Sequence, residues 1–327
     1  MTIHTCTKVN IGLNVLRKRP DGYHDLETLF VPYWGLGDIL TVETAPELSV
    51  EILRDGGVDW DPMEDLTVRA WRLLKADFPS LPYVSIRLEK HAPVGAGLGG
   101  GSADAAFMLR ALNELGGLGL DDAALAAYAA KLGSDCAFFV YCHPMFATGR
   151  GEILEPFDID LSAYDLWVEL PLDATTGFPV AVSTREAYAG IVPRESQVTD
   201  YQRNKPLRAP KKQHPQTAKQ QIINNLGFTP SLTEALAPTE GIAAGAAQGE
   251  PSPCPLGVQG DGRSALREAL TSPVTQWRGT IVNDFEATVC PRHPEIPALI
   301  EDFYRRGAVY AAMSGSGSAV FGLFPRR

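Results

Sequence analysis

Five of the seven residues from Gly95 to Gly101 are glycines, in the stretch PVGAGLGGGSADAA that begins at Pro93. A tight turn accounts for one or two glycines in left-handed conformations and leaves the others unexplained. Directly after the glycines, residues 103–115 repeat apolar side chains at helical spacing, and Ser102 is a suitable N-cap. Because a helix N-terminus offers unpaired N–H groups and the positive end of the helix dipole, this stretch predicts a site for an anion.

The spacing of the loop separates three phosphate-binding patterns. A Walker A loop needs a lysine and a Ser or Thr directly after its second glycine, and no lysine occurs in this loop. The glycine spacing does fit a dinucleotide fingerprint, but Asp121, which lies at the expected distance, opens a helix instead of ending a second parallel strand. The remaining pattern is a loop whose backbone N–H groups converge on the phosphates of a nucleoside triphosphate. The predicted nucleotide-binding residues of this loop are Pro93, Gly95, Gly97, Leu98, Gly99, Gly100, Gly101 and Ser102.

The size and charge of the chain limit the classes of protein it can be. Its 327 residues are enough for two domains, and 45% hydrophobic with 21% charged residues is typical of a globular protein. A net charge of −10 gives no reason to expect nucleic-acid binding. No apolar run approaches the roughly 20 residues of a membrane span, and the start lacks signal-peptide features, so we expect no membrane partner and a cytoplasmic location. Five scattered cysteines predict neither a disulfide framework nor a zinc site.

The predicted elements fall into two regular regions around an irregular one. Residues 194–263 are rich in Gln, Pro, Ala and Gly, which predicts a disordered or loosely packed insertion. The expected domains are residues 1–160 and residues 161–327, the second interrupted by that insertion. Apolar periodicity predicts strands at 39–42, 48–52 and 83–89, helices at 66–76, 103–115, 123–132 and 294–306, and a strand, a Ser/Gly turn and a strand over 309–324.

Three stretches resemble the motifs of the GHMP kinases, the family named for galacto-, homoserine, mevalonate and phosphomevalonate kinases. They are KVNIGLNV from Lys8, the glycine stretch from Pro93, and AAMSGSGSAVFGLF from Ala311, in the family's order. The resemblance implies an α/β (α+β) fold of two domains, with the active site in the cleft between them. It also implies a kinase that uses ATP and Mg²⁺ to phosphorylate a small-molecule alcohol. The expected assembly is a monomer or a homodimer.

One further stretch points to a subgroup of this family. RPDGYHDLETLF, from Arg19 to Phe30, is similar to a stretch found in members whose substrate carries a cytidine diphosphate group, and GSDCAFF, VSTREAY and VNDFE resemble their later landmarks. The resemblance implies cytidine diphosphate methylerythritol as the substrate, in the non-mevalonate route to isoprenoid precursors. The alternatives are another small-alcohol kinase of the family, of the homoserine or mevalonate type, and a non-catalytic nucleotide-binding paralogue.

Asp135 is the candidate catalytic base. It precedes the apolar run 136–141, where packing does not explain a carboxylate, and phosphoryl transfer to a hydroxyl often uses a carboxylate to take the proton. The alternative is a cap or turn aspartate.

Lys8 is the candidate cation. Early in the first strand, it could stabilise the charge on the moving phosphoryl group, although an ordinary edge-strand lysine fits the spacing equally well. The resemblance implies that Lys8 and Asp135 are the family's catalytic pair and that Asn10 contacts the substrate.

The predicted substrate site holds a cytosine ring. Tyr23 can stack on such a ring and the adjacent His24 can hydrogen-bond to its edge. Tyr188 is expected to close the other side of the base, and Thr184 lies where the family contacts its substrate.

One carboxylate departs from the family pattern, and two others have no assigned role. Asp65 stands where many relatives have an asparagine associated with adenine, and a carboxylate cannot donate to a ring nitrogen, so nucleotide preference is in question. Asp284 and Glu286 are candidate Mg²⁺ ligands, but the stretch NDFE is equally consistent with a structural element. The metal ligands therefore stay unassigned.

Overall fold

The structure, a computed structural model, describes residues 1–194 and 264–326. Apart from Arg194, the insertion predicted at 194–263 lies outside the described residues. The strands are β1 (Thr2–His4), β2 (Thr7–Lys18), β3 (His24–Tyr33), β4 (Ile39–Thr44), β5 (Ser49–Leu53), β6 (Val84–Glu89), β7 (Met145–Thr148), β8 (Ile153–Pro156), β9 (Tyr164–Glu169), β10 (Tyr310–Met313) and β11 (Val320–Pro325). The α-helices are α1 (Leu66–Asp77), α2 (Gly100–Leu115), α3 (Asp122–Leu132), α4 (Cys136–Tyr141), α5 (Thr184–Tyr188), α6 (Ala265–Ala269), α7 (Glu286–Val289) and α8 (Glu295–Arg305).

These strands form three sheets. The first has the order β2-β3-β7-β8 and is antiparallel throughout. The second has the order β1-β4-β6-β5, in which only β5 and β6 are parallel. The third, β10-β11-β9, is antiparallel and packs against α8.

Helix α2 is the centre of the N-terminal core. It contacts α1, α3 and α4, and its alanines, including Ala103, Ala106 and Ala111, are fully buried. Because alanine is small, neighbouring helices can approach this helix closely on several sides. The core therefore holds the N-terminal end of α2 in a fixed position.

Strand β2 places its alternate side chains in two environments, because successive residues of a strand point to opposite faces. Val9 and Ile11 lie in an apolar cluster with Trp277, which belongs to the C-terminal part of the chain. Lys8 and Asn10 alternate with Val9 and Ile11 along the strand, so they lie on the other face, and both are almost fully buried. This apolar cluster therefore joins the two halves of the chain. The domain boundary at residue 160 stays a prediction.

Several predicted elements are confirmed. Both bounds of α1, α3 and β6 lie within one residue of the prediction. The predicted ranges are 66–76 and 123–132 for the two helices and 83–89 for the strand. The C-terminal strand, turn and strand correspond to β10, the Ser/Gly turn and β11. None of the helices in the described ranges is long and apolar enough to cross a membrane. The four cysteines within those ranges are free thiols.

Two local predictions are wrong. Helix α2 begins at Gly100, three residues before the predicted start, so Ser102 lies in its first turn and Gly99 is the N-cap. The positive φ of Gly99, 73°, lets the chain enter the helix without a side-chain cap. Lys8 lies on the second strand, because the short strand β1 precedes it.

Candidate active site

A cleft of about 1170 Å³ brings together the predicted site residues. Its walls come from β2, β3, the glycine loop, the start of α1, the turn between β7 and β8, α5 and the Ser/Gly turn between β10 and β11. The predicted residues that line it are Lys8, Asn10, Tyr23, His24, Asp65, Pro93, Gly95, Gly97, Gly99, Gly100, Gly101, Ser102, Asp135, Thr184 and Tyr188. Leu98 differs: its side chain is buried in the core, and its carbonyl accepts a hydrogen bond from the Lys8 N–H at 2.9 Å.

The glycine loop is held between β2 and the Ser/Gly turn. The carbonyl of Ala96 accepts a hydrogen bond from the Ala319 N–H at 3.1 Å, which ties the loop to the turn. Gly97 has a φ of 78°, and a Cβ there would lie 2.2 Å from the carbonyl oxygen of Ser314. The close approach of the Ser/Gly turn therefore requires glycine at position 97.

The start of α2 presents free donors to the cleft. Gly100, Gly101 and Ser102 form the first turn, where backbone N–H groups have no acceptor within the helix. All three residues line the cleft, and Gly99 supplies no side-chain cap. Since α2 is 16 residues long, its dipole adds to the attraction of these donors for an anion.

Lys8 is a buried cation with three neighbours. Its Nζ donates to Asn10 Oδ1 at 2.5 Å and to the Gly97 carbonyl at 2.7 Å, and lies 3.6 Å from Asp135 Oδ2. Burial lowers the pKa of Lys8, while Asp135 acts to raise it. This ammonium group therefore connects the glycine loop with the carboxylate across the cleft.

Asp135 occupies the N-cap position of α4, yet its side chain makes no capping hydrogen bond. The carboxylate is 30% exposed, and Lys8 is its ion-pair partner. Helix capping therefore does not account for this aspartate, in contrast to Asp121, which accepts from the Ala124 N–H at 2.8 Å.

Aromatic side chains line the opposite end of the cleft. The ring of His24 stacks on Tyr188 with centroids 4.8 Å apart, and Tyr188 meets Phe285 edge to face at 4.7 Å. Tyr23 is 57% exposed and contacts Arg150, whose guanidinium carbon is 4.9 Å from the ring centroid. Tyr23 and Tyr188 are predicted to lie on the two sides of a base, whereas here the ring of His24 occupies the face of Tyr188.

Thr184 begins α5 beside the Ser/Gly turn. Its hydroxyl lies 3.4 Å from the hydroxyl of Ser316, and both residues line the cleft. The third family motif and the predicted substrate residues therefore meet at this point.

Asp65 is on the cleft wall, but its carboxylate is already engaged. Oδ1 accepts from the N–H of Thr67 at 2.9 Å and from its hydroxyl at 2.7 Å, which caps α1. Oδ2 accepts from Trp60 Nε1 at 3.2 Å.

Asp284 and Glu286 hold backbone and side chains together outside the cleft lining. Asp284 accepts from the Val15 N–H and pairs with Arg194 at 2.7 Å, while Glu286 accepts from the Met313 N–H at 2.8 Å. Directly before them, buried Asn283 donates to the carbonyls of Met313 and Gly315, at the end of β10 and in the Ser/Gly turn. Across the described ranges, no group of three His, Cys, Asp or Glu side chains could hold a metal ion.

Several cleft residues are not predicted from the sequence. Arg69, Arg150 and Arg185 line it together with Lys8 and Lys90. The lining also holds Glu64, Asp65 and Asp135, so basic side chains exceed acidic ones by two in a protein with a net charge of −10. Such a cleft attracts anionic ligands more strongly than the surface around it. The arginines are scattered along the chain, and only Arg150, between two glycines in TGRG, carried a local signal.

Comparison with known families identifies both halves of the chain. The profile of the GHMP kinases N terminal domain matches residues 65–143, and that of the GHMP kinases C terminal domain matches residues 268–327. The fold also resembles a mevalonate kinase, with a TM-score of 0.57 at 9% identity, covering 99% of this chain and 91% of the other.

More similar relatives share one name. The 4-diphosphocytidyl-2-C-methyl-D-erythritol kinase of Bacteroides thetaiotaomicron is 38% identical over 97% of this chain and 89% of its own length. That of Porphyromonas gingivalis is 33% identical over 99% of this chain and 92% of its own length. A crystal structure of 4-(cytidine 5'-diphospho)-2C-methyl-D-erythritol kinase matches with a TM-score of 0.61 at 28% identity, covering 99% and 90% of the two chains. The chain therefore belongs to the 4-diphosphocytidyl-2-C-methyl-D-erythritol kinase family of the GHMP kinases.

Proposed function

We propose that this protein transfers the γ-phosphoryl group of ATP to the 2-hydroxyl of 4-diphosphocytidyl-2-C-methyl-D-erythritol, a step in isoprenoid precursor biosynthesis. The observation that carries the proposal is the position of Lys8 and Asp135, which lie 3.6 Å apart in a cleft with a glycine loop at one end and aromatic rings at the other. The family relationship supports the substrate.

The glycine loop and the first turn of α2 bind the nucleotide phosphates in this proposal. The free N–H groups of Gly100, Gly101 and Ser102 donate to phosphate oxygens, and the Ser102 hydroxyl supplies a further donor. Asp65 contributes as the cap of α1 beside the nucleotide, because both of its carboxylate oxygens already accept hydrogen bonds.

Mg²⁺ enters as part of the MgATP substrate. This ion usually keeps several waters and binds phosphate oxygens with few protein carboxylates, which agrees with a cleft that offers no three-residue cluster in the described part of the chain. It neutralises phosphate charge during transfer. The Ser102 hydroxyl is the cleft group suited to complete its shell.

Lys8 and Asp135 divide the chemistry at the acceptor hydroxyl. Asp135 takes the proton as the oxygen attacks phosphorus, and it is partly exposed, so a hydroxyl can reach it. Lys8 is fixed by Asn10 and by the Gly97 carbonyl, so its positive charge is already in position when negative charge develops. Little reorganisation is then needed during the step.

The aromatic end holds the cytosine. Tyr188 offers a ring face, His24 offers nitrogen atoms for the edge of the base, and exposed Tyr23 can close over it. Binding in this arrangement requires the His24 ring to leave the face of Tyr188. A kinase of the homoserine or mevalonate type has no base to bind and no use for this cluster.

The test is ADP release from MgATP with four acceptors in parallel: the cytidyl alcohol, homoserine, mevalonate and galactose. We expect turnover with the cytidyl alcohol alone. Turnover with another alcohol would replace the proposed substrate, and no turnover with any of them would favour a non-catalytic paralogue.

The oligomeric state, a monomer or a homodimer, stays a prediction from the sequence.

A further inference from the structure

Arg150 occupies a rigid position at the turn between β7 and β8. Gly149 accepts a hydrogen bond from the Leu26 N–H at 2.7 Å, which ties the turn to β3. The Arg150 N–H donates to Glu152 Oε2 at 2.5 Å. Because the neighbouring Gly149 and Gly151 both have positive φ, the backbone can turn tightly here and present the arginine toward the cleft.

The guanidinium group of Arg150 has unused donors. Its Nε is buried and makes no hydrogen bond to any described residue. The carboxylate of Glu152 comes within 3.5 Å of this atom, which is an ion pair without a hydrogen bond. The face of the group lies on Tyr23, and the side chain is 39% exposed to the cleft and solvent. Since Nε is buried, the donors available to an anion are the two terminal NH2 groups, which make no hydrogen bond to any described residue and belong to the exposed part of the side chain.

Arg150 also lies between the two ends of the proposed substrate. Tyr23, on one side, is the proposed cytosine contact. On the other side the turn approaches Asp135, since a Cβ on Gly151 would lie 3.6 Å from Asp135 Oδ1. In the proposed substrate, the diphosphate links the cytidine to the alcohol whose hydroxyl must reach Asp135. A group between these two contacts therefore meets the diphosphate.

We propose that Arg150 binds the diphosphate of the substrate and so selects alcohols that carry one. This inference rests on the proposed function. A planar guanidinium can donate two parallel hydrogen bonds to phosphate oxygens, and stacking on Tyr23 keeps the group flat against the proposed base site. Lys8 is not needed for the diphosphate in this arrangement. Asn10 and the glycine loop hold its ammonium group in place, where it serves the transferred phosphoryl group.

The experiment compares CDP with cytidine as ligands of the wild type, Arg150→Gln and Arg150→Lys, by calorimetry or by competition with the cytidyl substrate. We expect Arg150→Gln to weaken CDP binding by about tenfold or more and to leave cytidine binding within about twofold. Arg150→Lys should recover part of the loss, since it keeps the charge. In turnover, the KM for the cytidyl alcohol should rise in Arg150→Gln while the KM for ATP stays unchanged.

Arg87→Gln is the matched control, because Arg87 pairs with Glu51 and Glu89 on the exposed face of β6, away from the cleft. An equal loss of CDP and cytidine binding in Arg150→Gln would overturn the proposal, since it would mean that Arg150 only supports Tyr23. Unchanged CDP binding would also overturn it and leave the proposed function intact. If the wild type itself bound neither CDP nor cytidine, the proposed function would fail together with this inference.

Discussion

The two ends of the cleft are built in different ways. At the phosphate end, hydrogen bonds of 2.5 to 3.2 Å link Lys8, Asn10, Gly97 and Ser314, and the side chains of Lys8, Asn10 and Ser314 are almost fully buried. At the aromatic end, by contrast, Tyr23 is 57% exposed, and its ring contacts the guanidinium group of Arg150. Backbone contacts fix the first end, so substitutions there should have severe effects, while side chains at the second end should give graded effects.

The largest expected effect comes from Gly97→Ala. Alanine at a φ of 78° is strained, and its Cβ would lie 2.2 Å from the Ser314 carbonyl oxygen, so the loop and the Ser/Gly turn must separate. We expect a loss of about 3 kcal/mol or more in the free energy of unfolding and a fall in kcat of roughly 100-fold. Urea denaturation and steady-state kinetics measure the two effects.

Gly95→Ala is the control for this variant. Gly95 has a similar φ of 75°, but a Cβ there would meet no atom within 4 Å. Its loss of stability should be limited to about 1 kcal/mol from the backbone strain. Equal destabilisation by the two substitutions would contradict the claim that close contact with the turn fixes the phosphate end.

Tyr188→Ala tests the aromatic end. Removing the ring that stacks with His24 and Phe285 should raise the KM for the cytidyl substrate by about tenfold and leave the KM for ATP within about twofold. Tyr188→Phe keeps the ring and should behave like the wild type. A rise in both KM values for Tyr188→Ala would argue against separate binding ends.

Glu286 makes stability depend on pH at the phosphate end. Burial raises its pKa to about 7 from an ordinary 4.5, so the folded protein favours the protonated form. This contribution to stability is complete below pH 4.5 and is lost as the pH rises through about 7. Between pH 5 and 8 the wild type should lose about 1 to 3 kcal/mol more than Glu286→Gln. Parallel pH profiles of urea denaturation would count against this account.

The smallest effect is expected from Asp65→Asn. Asparagine caps helices about as well as aspartate, and its side-chain oxygen can still accept from Thr67. Its NH2 group cannot accept from Trp60 Nε1, so this one hydrogen bond is lost. Stability should fall by about 1 kcal/mol or less, and the KM for ATP should change by less than about threefold. Asp65→Ala removes the cap as well and should cost about 2 kcal/mol. A tenfold change in the KM for ATP with Asp65→Asn would instead indicate direct contact with the nucleotide.

Much of the site was predictable because its motifs are local in sequence. The glycine loop, Lys8, Asp135 and the pair Tyr23 and His24 each lie in a short stretch with a recognisable pattern, and the structure brings them to one cleft. The sequence pattern predicts the start of α2 three residues late, because a glycine N-cap leaves no polar side chain to mark it.

Features that depend on contacts far apart in sequence were not predictable. The stacking of His24 on Tyr188 joins residues 164 positions apart along the chain. The contact of Gly97 with Ser314 likewise depends on how the C-terminal hairpin packs on the loop. The Mg²⁺ role considered for Asp284 and Glu286 gives way to contacts with Val15, Arg194 and Met313.

The most direct test of this account is the kcat of Asp135→Asn with the cytidyl alcohol, measured beside the dissociation constants of CDP and ATP. Because Asp135 lies between the two binding ends and makes no capping hydrogen bond, we expect kcat to fall by about 1000-fold while both dissociation constants stay within about twofold. A kcat within tenfold of the wild type would contradict the claim that proton transfer at Asp135 joins the two ends of the cleft.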